Sequence, residues 1–198
     1  MLLLYGVGCT RTHTADQAEY LIWLNDPEHG LHQVRTINGL RIAMKYLPPD
    51  YRAYQELRGG GTPADRAAAD RVAAERRCEG SVAFLLSISR DSSQQSAGGV
   101  DPRMVMQQGI LLEAMIKDHM SLRADGAVYA PVLTTLDNNA GMSEAINIIA
   151  VFVDEAGGGK LPGAGNYDVA LDDAMFGTGI THFLFDRTAI DSRLRLDF

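Results

Sequence analysis

Residues 31–46 read LHQVRTINGLRIAMKY, and the fold class turns on how the middle of that stretch is taken. Asn38-Gly39 is the dipeptide that accepts positive φ at both central positions of a type I′ turn, the turn whose twist matches two antiparallel strands. After it, Leu40, Ile42, Met44 and Tyr46 alternate with Arg41, Ala43 and Lys45, which is the two-residue period of a strand. The spacing predicts a β-hairpin, ended by Pro48-Pro49.

Upstream, Thr14 with Gln17 three residues on reads as a helix start, with Thr14 as N-cap. Apolar residues follow at Ala18, Leu21, Ile22 and Leu24, and the run stops at Asn25-Asp26-Pro27 because a proline disfavours a helical residue before it. Downstream, DYRAYQELR (50–58) reads as helix and is broken by Gly59-Gly60-Gly61. Thr62-Pro63 places an N-cap and a first-turn proline before ADRAAADRVAAERRC (64–78), strongly helical by propensity. Its apolar face is mostly alanine, so it is expected to pack lightly, as an arm.

SVAFLLSIS (81–89) has the composition of a buried strand, and DSSQQSAGG (91–99) that of a polar loop. Asp101-Pro102 opens another helix with apolar residues at Met104, Val105, Leu111, Leu112, Met115 and Ile116. A second hairpin is expected around Asp125-Gly126 within 119–136, and a third buried strand in INIIAVFVDE (146–155). YDVALDD (167–173), ITHFLFD (180–186) and RLRLDF (193–198) are further strand candidates. These elements do not follow βαβ order. They predict an α+β domain: an antiparallel sheet or β-sandwich with inserted helices.

A chain of 198 residues with 46% apolar and 22% charged residues has the composition of one globular domain. We expect residues 14–198 to form that domain, with 1–13 lying outside it. A net charge of −7 argues against nucleic acid as a partner, since phosphate binding needs a basic face. The one basic cluster, Arg71, Arg76 and Arg77, is interleaved with Asp65, Asp70, Glu75 and Glu79 and reads as a solvated helix face. Cys9 and Cys78 are too few for a disulfide scaffold, and no zinc-type spacing exists. No apolar run approaches the eighteen or so residues of a membrane span.

The opening residues, MLLLYGVGCTRTHT, place small residues and then Cys9 after a short apolar run, with a polar stretch beyond. That is the order of a lipoprotein signal, in which the cysteine is acylated. The apolar run is shorter than usual and no Lys or Arg precedes it, so an edge strand or tail of a cytoplasmic protein is the competing reading. On the first reading Cys9 is the lipid-attachment residue and the bilayer is a partner, each buried methylene contributing about 0.8 kcal/mol.

Other motifs point to no established chemistry. GGGK at 157–160 resembles a phosphate loop, but Leu161-Pro162 supplies neither the hydroxyl nor the helix start that such a loop needs. Gly177-Thr178-Gly179 precedes a strand and reads as a turn or bulge rather than a dinucleotide site. A metal pair at His29 and His32 would need a third ligand, for which Glu28 or Asp26 could be proposed, but isolated loop histidines are the commoner case, so no metal and no cofactor are expected. Asp172-Asp173 and Asp154-Glu155 are paired acids, but neighbours on a strand point to opposite faces and do not converge. Met104, Met106, Met115 and Met120 read as core fillers. No catalytic residue is assigned; Asp172, Asp173 and His182 are the candidates for lining a cleft, with His119 and Asn138 as additional members.

NGLRIAMKYLPPDYRAYQEL, with its Asn-Gly hairpin, Tyr-Leu-Pro-Pro-Asp step and Tyr-rich helix, resembles poorly characterised exported lipoproteins of Bacteroidetes-type bacteria. The stretch YDVALDDAMFGTGITHFLFDRTAI is similar to their C-terminal strands. The resemblance implies a periplasmic or surface-facing protein anchored in the cell envelope. The expectation drawn from all of this is a non-enzymatic binding or assembly module, one subunit of a surface structure with protein partners or copies of itself. The alternatives are a hydrolase with a degenerate acid and histidine site, and a filament or tube subunit joined through open sheet edges.

Overall fold

The computed structural model describes residues 14–58, 67–91, 102–137, 145–155, 161–173 and 175–198, with the backbone alone at 67–69 and 102–105. In chain order the elements are β1 (Thr14–Ala15), α1 (Gln17–Asn25), β2 (His32–Ile37), β3 (Leu40–Tyr46), α2 (Pro49–Arg58), α3 (Ala67–Glu79) and β4 (Ser81–Arg90). They continue with α4 (Pro102–His119), β5 (Met120–Ala124), β6 (Ala127–Tyr129), β7 (Leu133–Leu136), β8 (Ile146–Val153), β9 (Tyr167–Asp173), β10 (Gly179–Phe185), α5 (Arg187–Asp191) and β11 (Arg195–Leu196).

The fold is α+β, with helices set around two antiparallel sheets. One sheet has five strands in the order β2-β3-β4-β8-β7, and the other has four in the order β10-β9-β5-β6. The Asn-Gly hairpin forms as its sequence predicts: Asn38 and Gly39 take φ of 52° and 76°, and Ile37 faces Leu40 across the turn. Asp125-Gly126 does the same between β5 and β6, with φ of 48° and 81°.

The sheets share one core. Tyr46 of β3 and Phe84 of β4 meet Tyr167 and Phe185 of the other sheet. Phe84 lies at the centre, its ring 5.0 Å from Phe185, 6.0 Å from Phe152 and 6.2 Å from Tyr167 between centroids. Rings at these separations add edge and offset attraction to the burial of their large apolar area. The two-residue period explains the supply: Val82, Phe84, Leu86 and Ile88 point inward from β4, and Ile146, Ile148, Ala150 and Phe152 from β8.

Helix α4 carries the chain from β4 in one sheet to β5 in the other and buries Leu112 and Ile116 in the same core. Its approach to β7 is close enough that a Cβ on Gly109 would stand 2.9 Å from Leu136 Cδ1, so that position tolerates no side chain without a shift. No helix among the described residues is long and apolar enough to cross a membrane.

The C-terminal segment is clasped by helices rather than free. β11 pairs with β1 in parallel. The Leu196 N–H donates to the buried Asp50 carboxylate at 3.0 Å. Arg71 of α3 donates to the carbonyl oxygens of Leu196 and Phe198 at 3.2 and 2.8 Å and lies over the Phe198 ring at 4.4 Å.

Four expectations are corrected. Helix α1 starts two residues later than Thr14 predicts: Asp16 is the N-cap, accepting from the Glu19 N–H at 2.9 Å, because Thr14 and Ala15 are taken into β1. Helix α3 is no arm; Ala74 is fully buried, and the small alanine surface lets it lie closely on α2. Arg71 is not part of a solvated face, although Arg76 and Arg77 are exposed. Of the methionines, Met120 fills the core, but Met106 and Met115 are 50% and 38% exposed.

Candidate functional site

The candidate acids and histidine fall on β9 and β10, which pair with Ile180 opposite Asp172, His182 opposite Ala170 and Leu184 opposite Asp168. Alternation sorts them onto two faces. Tyr167, Val169 and Leu171 of β9 and Thr181, Phe183 and Phe185 of β10 are buried against the other sheet. Asp168, Ala170 and Asp172, with Ile180, His182 and Leu184, lie on the outward face.

Asp173 belongs to the turn. Its Oδ1 accepts from the Met175 and Phe176 N–H groups at 2.8 Å each, and its Oδ2 accepts from the Thr178 N–H at 2.8 Å and the Thr178 hydroxyl at 2.6 Å. Partial burial alone would raise this carboxyl, but the four donors outweigh it and hold the group below the usual aspartate range. A carboxylate so saturated shapes the Gly177–Gly179 turn, where φ is 70° and 71° at the two glycines. It is unsuited to accept a proton from a substrate.

His182 is paired with a residue that sequence reasoning did not single out. Its Nδ1 lies 2.8 Å from Asp168 Oδ1, and the two side chains are 52% and 24% exposed. A His–Asp pair needs a nucleophile or a polarised water within about 3 Å to act in hydrolysis. Ala170 stands directly opposite His182, and the next residue across that row, Ser121, is two strands away, roughly 9–10 Å by strand spacing. Asp172 and Asp173 do share a cavity with His119, but it amounts to about 10 Å³ beneath Leu112, Met115 and Ile116, room for a single water molecule. His182 does not line it. His182 therefore stands apart from the two acids: Asp172 and Asp173 border one small, mostly apolar cavity, where Asp173 is taken up by the turn, while His182 is paired on the open face. Cys9 and Asn138 lie outside the described residues.

The open face has a pattern of its own. Across β10, β9, β5 and β6 the register aligns Leu184 with Asp168, Asp168 with Arg123, and Arg123 with Val128. The row reads apolar, acid, base, apolar. Leu184 and Val128 are 63% and 62% exposed, and Ile180 on the same face is 65% exposed. The next row, His182, Ala170 and Ser121, has small residues at its centre. The β10 edge is partly taken, since Gln33 donates to the Leu184 carbonyl, and Asn38 Nδ2 donates to the Gly177 carbonyl in the turn before it at 3.1 Å.

A second depression of about 460 Å³ lies along α1, lined by Asp16, Glu19, Ile22, Trp23, Asp26 and His29. Two of its three acids are engaged locally: Asp16 and Asp26 cap the N–H groups of Glu19 and Glu28 at 2.9 Å each. His29 stacks on Trp23 at 4.5 Å and His32 Nδ1 lies 2.7 Å from the Asn25 carbonyl, so the two histidines face separate partners. No group of three metal-ligating side chains gathers among the described residues. Burial lowers the His32 imidazole despite that carbonyl contact, and burial likewise lowers the Lys45 ammonium, which donates to Asn25 Oδ1.

Two solved structures are similar in part. One is a DUF4426 family protein from Pseudomonas aeruginosa PAO1, 10% identical, covering 79% of this chain and 93% of that one with a TM-score of 0.34. The other is a protein of unknown function from Burkholderia pseudomallei K96243, 16% identical, covering 89% of this chain and 88% of that one with a TM-score of 0.41. No family model and no curated protein matches the chain.

Proposed function

We propose that this chain is a non-enzymatic binding or assembly module of the cell envelope, held to a bilayer by acylation of Cys9, with the outward face of the four-stranded sheet as its working surface. The observation that supports it is the exposure of Leu184, Val128 and Ile180, each above 60%, on one sheet face. A sheet face left to water normally carries polar residues, and three strongly exposed aliphatic side chains spaced over one face, two of them at the ends of a row with an acid and a base between them, favour contact with another macromolecule. The distance of His182 from the cavity that Asp172 and Asp173 line, and the saturation of Asp173 by four turn donors, favour this reading over a hydrolase.

The test has two arms in cells expressing the full chain. Fractionation and intact mass should find the protein in the envelope with Cys9 diacylated; recovery from the cytosol with an unmodified thiol overturns the anchor. A photo-crosslinking amino acid at position 184 should trap a protein neighbour, and one at the exposed position 79 should not. Absence of any adduct at 184 overturns the binding role.

A further inference from the structure

We infer that the macromolecule met by this face is a second copy of the chain, docked face to face about a two-fold axis that runs along the strands. The inference rests on the reading of the face as a working surface and deepens it.

A two-fold axis parallel to the strands leaves each row at its height and reverses the strand order. β10 then lies over the partner's β6, and β9 over the partner's β5. The row Leu184, Asp168, Arg123, Val128 meets itself reversed. Leu184 falls on Val128 of the other copy, Asp168 on Arg123, Arg123 on Asp168, and Val128 on Leu184. Every contact in the row is complementary, and each is made twice, as an isologous interface requires. The next row helps: Ala170 and Ser121 exchange places across the axis, and both are small enough for two sheets to close to about 10 Å. An axis perpendicular to the strands in the interface plane would keep each strand over its own copy and oppose acid to acid along this row. The register thus selects one symmetry.

The mode of contact is also selected. Adding a strand at β10 would compete with the Gln33 side chain at the Leu184 carbonyl and crowd the preceding turn, where Asn38 donates to the Gly177 carbonyl. Face packing leaves those bonds intact. Strands about 4.8 Å apart, of seven residues in β10 and β9, five in β5 and three in β6, give a face of roughly 350 Å² per copy, below the about 800 Å² per partner of a standard stable interface. The dimer is therefore weak and concentration-dependent in solution, and confinement to a membrane surface would raise its occupancy.

Sedimentation velocity on the full purified chain tests this. Wild type should pass from monomer to dimer between about 5 and 500 µM. Asp168→Arg and Arg123→Asp, each with a cooperative thermal transition, should each remain monomeric, because each sets like charges against one another. An equimolar mixture of the two should form a one-to-one heterodimer, since the row of one variant is then all base and that of the other all acid. Leu184→Glu should abolish the dimer independently of the charges. A wild type monomeric throughout, variants that associate as wild type does, or a mixture that stays monomeric would each overturn the inference. A monomeric wild type whose position-184 crosslinker traps a different protein in cells would overturn the second copy while leaving the binding role in place.

Discussion

The two faces of the four-stranded sheet are built from the same strands, one residue apart, and differ in almost every physical respect. The inward face of β9 and β10 gives Tyr167, Val169, Phe183 and Phe185, each fully buried and packed against the five-stranded sheet. The outward face gives Asp168, Ala170, Asp172, Ile180, His182 and Leu184, with the aliphatic members mostly in water. Burial on the first face specifies the fold and tolerates little change. The second makes no such demand, so its mixture of aliphatic and charged groups is free to answer to a partner.

That contrast can be broken at several points. The largest effect is expected at Phe183→Ala, which removes a fully buried ring between the sheets and should cost about 3–5 kcal/mol in chemical denaturation. Next is Asp50→Ala in the C-terminal clasp. It leaves the Leu196 N–H without its acceptor and removes the carboxylate 3.9 Å from Arg193, and a loss of about 2–3 kcal/mol is expected.

Asp173→Asn sharpens the comparison at the turn joining the two strands. It weakens four charge-assisted bonds and should cost about 1–2 kcal/mol at neutral pH. The pH dependence has a definite sign. The folded carboxyl titrates below the unfolded value of about 3.9, so its contribution is complete above that value and is lost as pH falls through the lower, folded one. The stability difference between wild type and Asp173→Asn should therefore be constant from pH 6 to 8 and begin to shrink only as pH falls below about 4. The smallest effect on stability is expected at Leu184→Ser, within about 0.5 kcal/mol, because that side chain is already in water. On self-association the same change should be among the largest.

Much of the fold could be read in advance because it rests on local signals. Asn38-Gly39 and Asp125-Gly126 name their turns, and the period-two runs of β3, β4 and β8 name their strands. What escaped depends on register between distant segments. Nothing near Leu133 shows that β7 leaves the second hairpin to pair with β8 of the other sheet, and nothing near Arg71 shows that it reaches the C-terminal carbonyls. The candidate site escaped for the same reason. His182 and Asp172 were visible as isolated side chains, whereas the partner of His182, Asp168, and the row that extends through Arg123 to Val128 exist only once three strand pairings are set. Alternation alone would set Asp172 and Asp173 on opposite faces, yet both border the same small cavity, because Asp173 is the last residue of β9 and its carboxylate turns to the Met175–Thr178 donors.

The outward face as a self-complementary surface is tested most directly by crosslinking across the proposed axis. In a Cys9→Ser, Cys78→Ser background, Val128→Cys and Leu184→Cys chains are mixed and treated with a bismaleimide spanning roughly 8 Å, matched to side chains on sheets packed about 10 Å apart. The account predicts a covalent heterodimer in the mixture well above the dimer formed by either chain alone, because Val128 faces Leu184 of the other copy and lies about three strand spacings from its own counterpart. Equal yields from the mixture and from each single variant, or no covalent dimer at any concentration, would contradict it.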